Sequence, residues 1–262
     1  MSTPREERQQ RLLEYLSESG KVDVSSLSLQ FDVAEMTIRR DLEMLEAIGA
    51  LKRVHGGALL PVGSSYEPPF SLRQKTNSLA KRNIGSYVAS QVADGDTLIL
   101  DGGSTGLAIA EALISRVLTV TPLSLRVANY LSESTTVSLL IPGGAIRQGE
   151  KTFIGAETME YLSNRRYDHF LMTASAVSVT EGITEWNSED AAIKRRSLQV
   201  TSNVILAADS SKFNHHGFVN VCPLSTPDLV VTDSAIKEID LKPYLETNMH
   251  IKIAPNQSLP RR

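Results

Sequence analysis

Four short segments of this chain combine glycines, hydroxyls, carboxylates and cations in a way that suits anion binding. The first is Asp101-Gly102-Gly103-Ser104-Thr105-Gly106. Its glycines let backbone approach a ligand, Ser104 and Thr105 can donate, and a helix starting there adds partial positive charge. The second, Pro142-Gly143-Gly144-Ala145-Ile146-Arg147, ends on an arginine within reach of an anion. The third is the helix start Asn187-Ser188-Glu189, leading to Lys194, and the fourth is Asp209-Ser210-Ser211-Lys212-Phe213. None is a P-loop, because no Gly-Lys-Ser/Thr follows, and the Gly-x-Gly-x-x-Gly spacing is absent. Taken singly, a Gly-rich turn is equally a tight turn, and Lys194, Arg195, Arg196 and Lys212 are equally solvated charges. Asp101, Glu189 and Asp209 are the available acid–base groups. Asp101 and Asp209 serve as readily as turn or helix caps, and no histidine stands in a relay with them. His215-His216 has no companion metal ligands in sequence, so no metal, cofactor or catalytic residue is assigned.

A second chemistry lies near the start of the chain. In Val33-Ala34-Glu35-Met36-Thr37-Ile38-Arg39-Arg40-Asp41-Leu42-Glu43-Met44-Leu45, a helical period puts Ile38, Leu42 and Leu45 on one face. Met36, Arg40, Glu43 and Met44 lie opposite, flanked by Thr37 and Arg39. Such a helix can place hydroxyl and guanidinium groups in a DNA major groove. Val22 to Phe31 reads as an entry segment and a short helix with Ser25 as N-cap, and Asp32-Val33 makes the corner. That is a helix-turn-helix pattern, although the periodicity alone fits any small helical pair. Gly49 to Ala58 reads as a two-stranded wing turning on glycines, with Lys52, Arg53 and His55 beside the DNA backbone. The groove-facing set is Ser25, Glu35, Met36, Thr37, Arg39 and Arg40.

The elements that must hold these groups follow in order. Pro4 to about Ser19 is a first helix with Leu12, Leu13 and Leu16 inward, ended by Gly20-Lys21. Pro61, Gly63, Ser64, Ser65, Pro68, Pro69 and Ser71 break any regular pattern, which makes 61–76 a linker. From Leu79 helices and short apolar strands alternate: helix to Val92, strand Thr97–Asp101, helix Leu107–Ile114, strand Val117–Thr121, helix Leu123–Leu131, strand Val137–Ile141. Helix Gly155–Leu162, strand His169–Thr173, helix Ser188–Val200 and strand Val204–Ala208 come next. Strand Leu229–Thr232, helix Ile239–Glu246 and strand His250–Ile253 close the set. This alternation predicts an α/β domain with a mostly parallel sheet covered on both faces, in which ligands sit at the carboxyl ends of the strands. The expected domains are 1–60, the linker 61–76 and 77–262.

Composition narrows the class. The chain has 262 residues, 41% hydrophobic and 22% charged, enough for two ordinary globular domains. A single Cys222 excludes an internal disulfide framework and suits a reducing compartment. No apolar run approaches the roughly 20 residues of a membrane helix, and no apolar core follows the charged start as in a secretory signal. The expected location is the cytoplasm. Residues 1–60 hold eight Lys/Arg against ten Asp/Glu, so this module is not basic overall. With few phosphate contacts it should bind weakly alone, which predicts a homo-oligomer, dimer or tetramer.

The words of the N-terminal helix pair, Thr37-Ile38-Arg39-Arg40-Asp41-Leu42, Leu45-Glu46, Gly49, Leu51, Arg53 and His55-Gly56-Gly57-Ala58, closely resemble the DNA-binding module of the DeoR-type family of bacterial repressors. Ala34 stands where the family has Ser, which removes an N-cap worth about 0.5–2 kcal/mol and leaves Asp32 as the alternative. The likeness continues through Lys81-Arg82-Asn83-Ile84-Gly85, Leu100-Asp101-Gly102-Gly103-Ser104-Thr105, Gly143-Gly144 with Arg147, Thr152-Phe153-Ile154-Gly155, Gly182-Ile183-Thr184 with Asn187 and Glu189, Ile193-Lys194-Arg195 and Asp209 to Phe213. Gly85, Gly106, Thr152 and Asn214 depart from the family's Ala, Thr, Ser and Gly. Ser175, Ser178, Glu185 and Trp186 follow no pattern tied to one substrate.

The resemblance implies a winged helix-turn-helix domain before a sensor domain that looks like sugar-phosphate isomerases. It implies a regulator, not an enzyme: a repressor of carbohydrate use whose grip on a double-stranded DNA operator is set by a phosphorylated sugar or sugar acid. The effector set it implies is Lys81, Asp101, Gly102, Gly103, Ser104, Thr105, Gly143, Gly144, Arg147, Glu189, Lys194, Asp209 and Lys212. The competing reading is an isomerase-type enzyme with an accessory N-terminal domain.

Overall fold

A computed structural model describes residues 3–61, 63–247 and 249–256, without the side chains of Ser17 and Glu18. Two compact units divide between Arg73 and Gln74. Val62, in the expected linker, and residues 257–262, at the end of the expected second domain, lie outside the described residues.

The first unit starts with α1 (Pro4–Ser19), opened by a capping box in which Thr3 and Glu6 satisfy each other's backbone N–H, and closed by Gly20 in a left-handed conformation. Strand β1 (Lys21–Asp23), helices α2 (Val24–Phe31) and α3 (Glu35–Ala47), and strands β2 (Lys52–Val54) and β3 (Gly57–Leu59) follow. The expected two-stranded wing is a three-stranded antiparallel sheet of order β1-β3-β2, because Lys21–Asp23 joins its far edge. Leu12, Leu16, Leu27, Ile38, Leu42, Leu45 and Leu51 form one core beneath the helices and wing.

Three expectations need correction here. The N-cap of α2 is Asp23, not Ser25: its carboxylate accepts from Ser26 N at 3.0 Å, and the Ser25 hydroxyl donates to that same oxygen at 2.5 Å. The helix begins two residues earlier because Asp23, ending a strand, already has the extended backbone of a cap. Asp32 caps nothing on α3. It ends α2 at φ 52°, and α3 starts from Ala34 with no side-chain cap. The segment 61–76 is not wholly irregular. It holds α4 (Phe70–Lys75), whose Leu72 packs into the N-terminal core, and Tyr66 donates its hydroxyl to Ala50 O at 2.8 Å.

The second unit runs α5 (Ser78–Ala89), β4 (Thr97–Leu100), α6 (Gly103–Leu113), β5 (Leu118–Pro122), α7 (Leu125–Leu131) and β6 (Val137–Leu139). A hairpin of β7 (Ala145–Ile146) and β8 (Phe153–Ile154) leads to α8 (Ala156–Ser163) and β9 (Tyr167–Thr173). Strands β10 (Ala176–Ser178) and β11 (Gly182–Glu185), helix α9 (Ser188–Gln199) and β12 (Thr201–Ala207) come next. The unit ends with β13 (Val219–Cys222), β14 (Leu229–Thr232), α10 (Glu238–Leu245) and β15 (Ile251–Ile253).

Seven strands form a wholly parallel sheet of order β15-β14-β12-β9-β4-β5-β6. Alternate residues of one strand serve opposite faces. Leu171, Ile205 and Val231 pack with Ile84 of α5, Ile109 of α6 and Val127 of α7. Phe170, Met172 and Leu206 pack with Leu162 of α8, Ile193 of α9 and Tyr244 of α10. This is a doubly wound sheet, as the alternation of elements predicts. Its strand order reverses between β4 and β9, which is where such a fold opens a crevice. The sequence reading missed the small antiparallel sheet β10-β11-β13, whose β11 and β13 pack on α9. Among the described residues no helix is long and apolar enough to cross a membrane.

Candidate nucleic-acid interface and ligand site

Helix α3 turns the expected residues outward. Ile38, Leu42 and Leu45 are buried, while Glu35, Met36, Arg39 and Arg40 are exposed and Thr37 is half-buried. Ser25, Lys52, Arg53 and His55 are exposed too. The cations are not equivalent. Arg39 pairs with Glu35 one turn earlier at 3.1 Å. Arg53 folds back onto α3, 2.9 Å from Glu43 and 3.9 Å from Glu46, and its backbone N–H donates to Glu46 Oε1 at 2.8 Å. Arg53 thus braces the wing against the helix while its side chain stays exposed. Arg40, Lys52 and His55 show no ion pair or side-chain hydrogen bond among the described residues, which leaves them open to phosphates or base edges.

What aims this helix was missed. Asp41 is 2% exposed and accepts from Arg8 Nε at 2.6 Å and Gln9 Nε2 at 3.0 Å, both on α1. The signal was present in the period: Asp41 lies three residues after Ile38 and one before Leu42, inside the buried stripe. A carboxylate there must have a partner, and α1 supplies it.

In the second unit the carboxyl ends of β4 and β9 meet around Asp101. Asp101 Oδ1 accepts from Gly102 N at 2.8 Å. Oδ2 accepts from Thr173 N at 2.8 Å, the Thr173 hydroxyl at 2.9 Å and Lys194 Nζ at 2.8 Å. Lys194 also donates to the Thr173 carbonyl at 2.7 Å and to Glu185 Oε1, whose other oxygen takes the Ser175 hydroxyl. Burial works against the charge on Lys194, yet Asp101 and Glu185 outweigh it and push its pKa well above the usual lysine range. Glu185 and Ser175, noted in sequence without a role, thus belong to this network.

A narrow cleft of about 10 Å³ beside it is lined by Asp101, Leu123, Thr152, Phe153, Asp190, Ile193 and Lys194. Asp190 holds Arg147 at 2.5 Å and the Thr152 hydroxyl at 2.7 Å. Asp190 lines this cleft, while Glu189 is exposed on the first turn of α9, which starts at Ser188 after the Asn187 cap as expected.

Across the β4–α6 turn, α6 starts at Gly103 with no side-chain cap, and Ser104 and Thr105 are each 7% exposed. An open cleft of about 90 Å³ there is lined by Gln74, Ser78, Lys81, Arg82, Ser104, Leu107, Ala108 and Glu111. Buried Lys81 donates to Thr76 O at 2.5 Å and lies 3.9 Å from Asp209. Burial would raise the Asp209 pKa, but Lys212, the Ser211 hydroxyl, Lys81 and Asn77 hold it below the usual carboxylate range. Asp209 is the cap of the short 3-10 turn Ser210–Lys212, accepting from Ser211 N at 3.1 Å and Asn77 Nδ2 at 2.9 Å. Lys212 Nζ sits 5.0 Å from the centre of the Trp186 ring.

Gly143 and Gly144 stand apart from these clefts. The Gly143 carbonyl accepts the Thr158 hydroxyl at 2.7 Å, and a Cβ on Gly144 would meet that hydroxyl oxygen at 2.4 Å, so the pair seats α8. Gly106 also has a structural reason: a Cβ would lie 2.3 Å from the Asp101 carbonyl oxygen. In this chain the position has no room for the Thr that the family carries there.

A winged helix-turn-helix unit joined to a doubly wound unit with a charged crevice at its switch point defines a class: a ligand-responsive DNA-binding regulator. Comparison with known proteins agrees. The DeoR-like helix-turn-helix domain matches residues 8–62 and the DeoR C terminal sensor domain matches residues 76–234. The chain is 32% identical over 229 residues to the glycerol-3-phosphate regulon repressor of Escherichia coli strain K12, covering 87% of this chain and 90% of that one. It is 33% identical to the transcriptional repressor GlcR of Bacillus subtilis, covering 87% and 88%, and 30% identical to a putative aga operon transcriptional repressor of Escherichia coli O157:H7, covering 88% and 87%. The chain belongs to the DeoR family of transcriptional regulators.

Proposed function

We propose that the protein is a repressor of a carbohydrate-utilisation operon, working in the cytoplasm as a homo-oligomer, and that a phosphorylated sugar or related metabolite controls its hold on the operator. Helix α3 reads the major groove through Thr37, Arg39 and Arg40, while Lys52 and His55 meet phosphates. The effector lies across the β4–β9 switch point, its phosphate on the α6 side near Ser104, Lys81 and Lys212. The observation that carries the reading is the uncapped start of α6 beside a buried, fully formed network of Asp101, Lys194 and Glu185. A buried charge cluster of this kind is costly and persists where it has a task.

The same network argues against the isomerase reading. Proton transfer needs a carboxylate free to take a proton from the substrate, whereas Asp101 and Glu185 are both ion-paired to Lys194. The test uses duplex DNA selected by the full chain from a random pool. Binding should weaken steeply with salt, and one or more phosphorylated sugars should release the DNA and raise the melting temperature. Ser104→Ala and Lys212→Ala should bind DNA normally and ignore the effector. No selected sequence, or no response to any phosphorylated sugar, defeats the reading.

A further inference from the structure

The outward surface of α3 carries two side-by-side pairs. Residues four apart are neighbours on a helix surface, so Glu35 lies beside Arg39 and Met36 beside Arg40. The first pair is closed on itself at 3.1 Å. In the second, Arg40 has no ion pair among the described residues, and Met36 keeps 60% of its surface exposed. The other exposed methionine of α3, Met44, is occupied: Arg5 Nη1 and Gln9 Nε2 donate to its sulfur at 3.5 and 3.7 Å. Met36 makes no such contact among the described residues. A single exposed apolar side chain is ordinary on a protein surface. This one stands in the first turn of the helix proposed to read DNA, next to a cation without an ion pair.

Resting on the proposed entry of α3 into the major groove, we infer that Met36 is a specificity-determining residue that recognises the 5-methyl group of a thymine. A thioether has no strong donor or acceptor, so it cannot match the amino, carbonyl or ring-nitrogen groups of the base edges. The one apolar group displayed in that groove is the thymine methyl. Set against any other base edge, Met36 would strip water from a polar group and leave it unpaired. Its unbranched, polarizable chain closes on a methyl group without moving the helix. Four residues rise about 6 Å along α3, close to two base pairs at about 3.4 Å each. With the helix along the groove, the thymine therefore lies about two base pairs from the base that Arg40 reads.

The experiment uses the full chain and the duplex it selects, with each thymine replaced in turn by uracil, which lacks only the methyl group. At one thymine in a half-site, uracil should weaken native binding about fourfold, the worth of one buried methyl group. Met36→Ala should bind the thymine and uracil duplexes alike. Its melting temperature should be native, since Met36 is exposed and alanine is the better helix former. Met44→Ala should keep the native preference for thymine. Indifference of the native chain to uracil at every position overturns this inference and leaves DNA binding by α3 standing. So does a thymine preference that survives in Met36→Ala or is lost in Met44→Ala. Failure to select any duplex overturns both.

Discussion

Asp41→Ala tests how the reading helix is aimed. Asp41 is 2% exposed and has two partners on α1, Arg8 at 2.6 Å and Gln9 at 3.0 Å. Breaking a buried ion pair from one side costs about 3–5 kcal/mol when the remaining charge is trapped. Here the remaining charge belongs to Arg8, whose side chain keeps 19% exposure and can turn to water. That discounts the loss to about 2 kcal/mol. The unit it stabilises ends at Arg73, and a domain that small holds only about 4–11 kcal/mol in total. At about 4–8 °C per kcal/mol, its melting should fall by about 8–16 °C. Calorimetry of the full chain, with hydrogen exchange of α1 and α3 to assign the transition, reads this directly. Well below that melting point, operator binding by Asp41→Ala should show the native salt slope, because the lost groups touch no phosphate. Arg40→Ala should instead lose about 1–3 kcal/mol of operator affinity with an unchanged melting temperature. A melting shift under about 2 °C for Asp41→Ala, against that range, would refute the positioning role.

Arg53→Ala should leave the slope of log affinity against log salt unchanged, since Glu43 and Glu46 hold that side chain, whereas Lys52→Ala should reduce it by about 0.9; gel shifts at several salt concentrations distinguish the two. Gly106→Ala places a Cβ 2.3 Å from the Asp101 carbonyl oxygen, so it should destabilise the sensor unit by about 1–3 kcal/mol in urea unfolding and blunt the effector response. Asp209 is held below the ordinary carboxylate range, so its stabilisation is complete above about pH 4 and is lost as the pH falls through its lowered folded value. Asp209→Asn should therefore melt lower than the native chain at pH 7, with the difference closing as the medium is acidified.

Elements with a clean period were readable from the sequence, and those defined by partners were not. Ile84 and Val88 of α5 and the apolar runs of β4, β9, β12 and β14 carry their own signal, and their boundaries hold to within a few residues. Strand β1 is three residues long and exists because β3 pairs with it. Strands β10, β11 and β13 are likewise made by long-range pairing, with Ile183 opposite Cys222. In the site, Asp101, Lys194 and Asp209 stand at loop or helix starts where strand-end reasoning finds them. Glu185 lies inside a strand, and Asp190 stands beside Glu189 on the first turn of α9, where its long-range partners Arg147 and Thr152 decide which carboxylate lines the cleft. Asp41 sat in plain view on the buried stripe, but its partners are 32 and 33 residues away.

The reversal of strand order between β4 and β9 has a consequence for how the sensor unit is made. Strands β4, β5 and β6 are one uninterrupted stretch of chain, and β9, β12, β14 and β15 are another. Each stretch can assemble its own part of the sheet from near neighbours, the first while the second is still being synthesised. The halves are then joined by α5 packing on β12 and β14 and by Asp101 accepting from Thr173, 72 residues further on. Closing a loop of that length is slow compared with the local pairings on either side. The crevice therefore does not exist in either half; it comes into being at the last docking step. A small molecule that spans the joint binds only the completed unit, so it adds its binding free energy to the step that joins the halves and slows their separation. In such a fold, sensing a metabolite and certifying that the chain has finished folding are the same event.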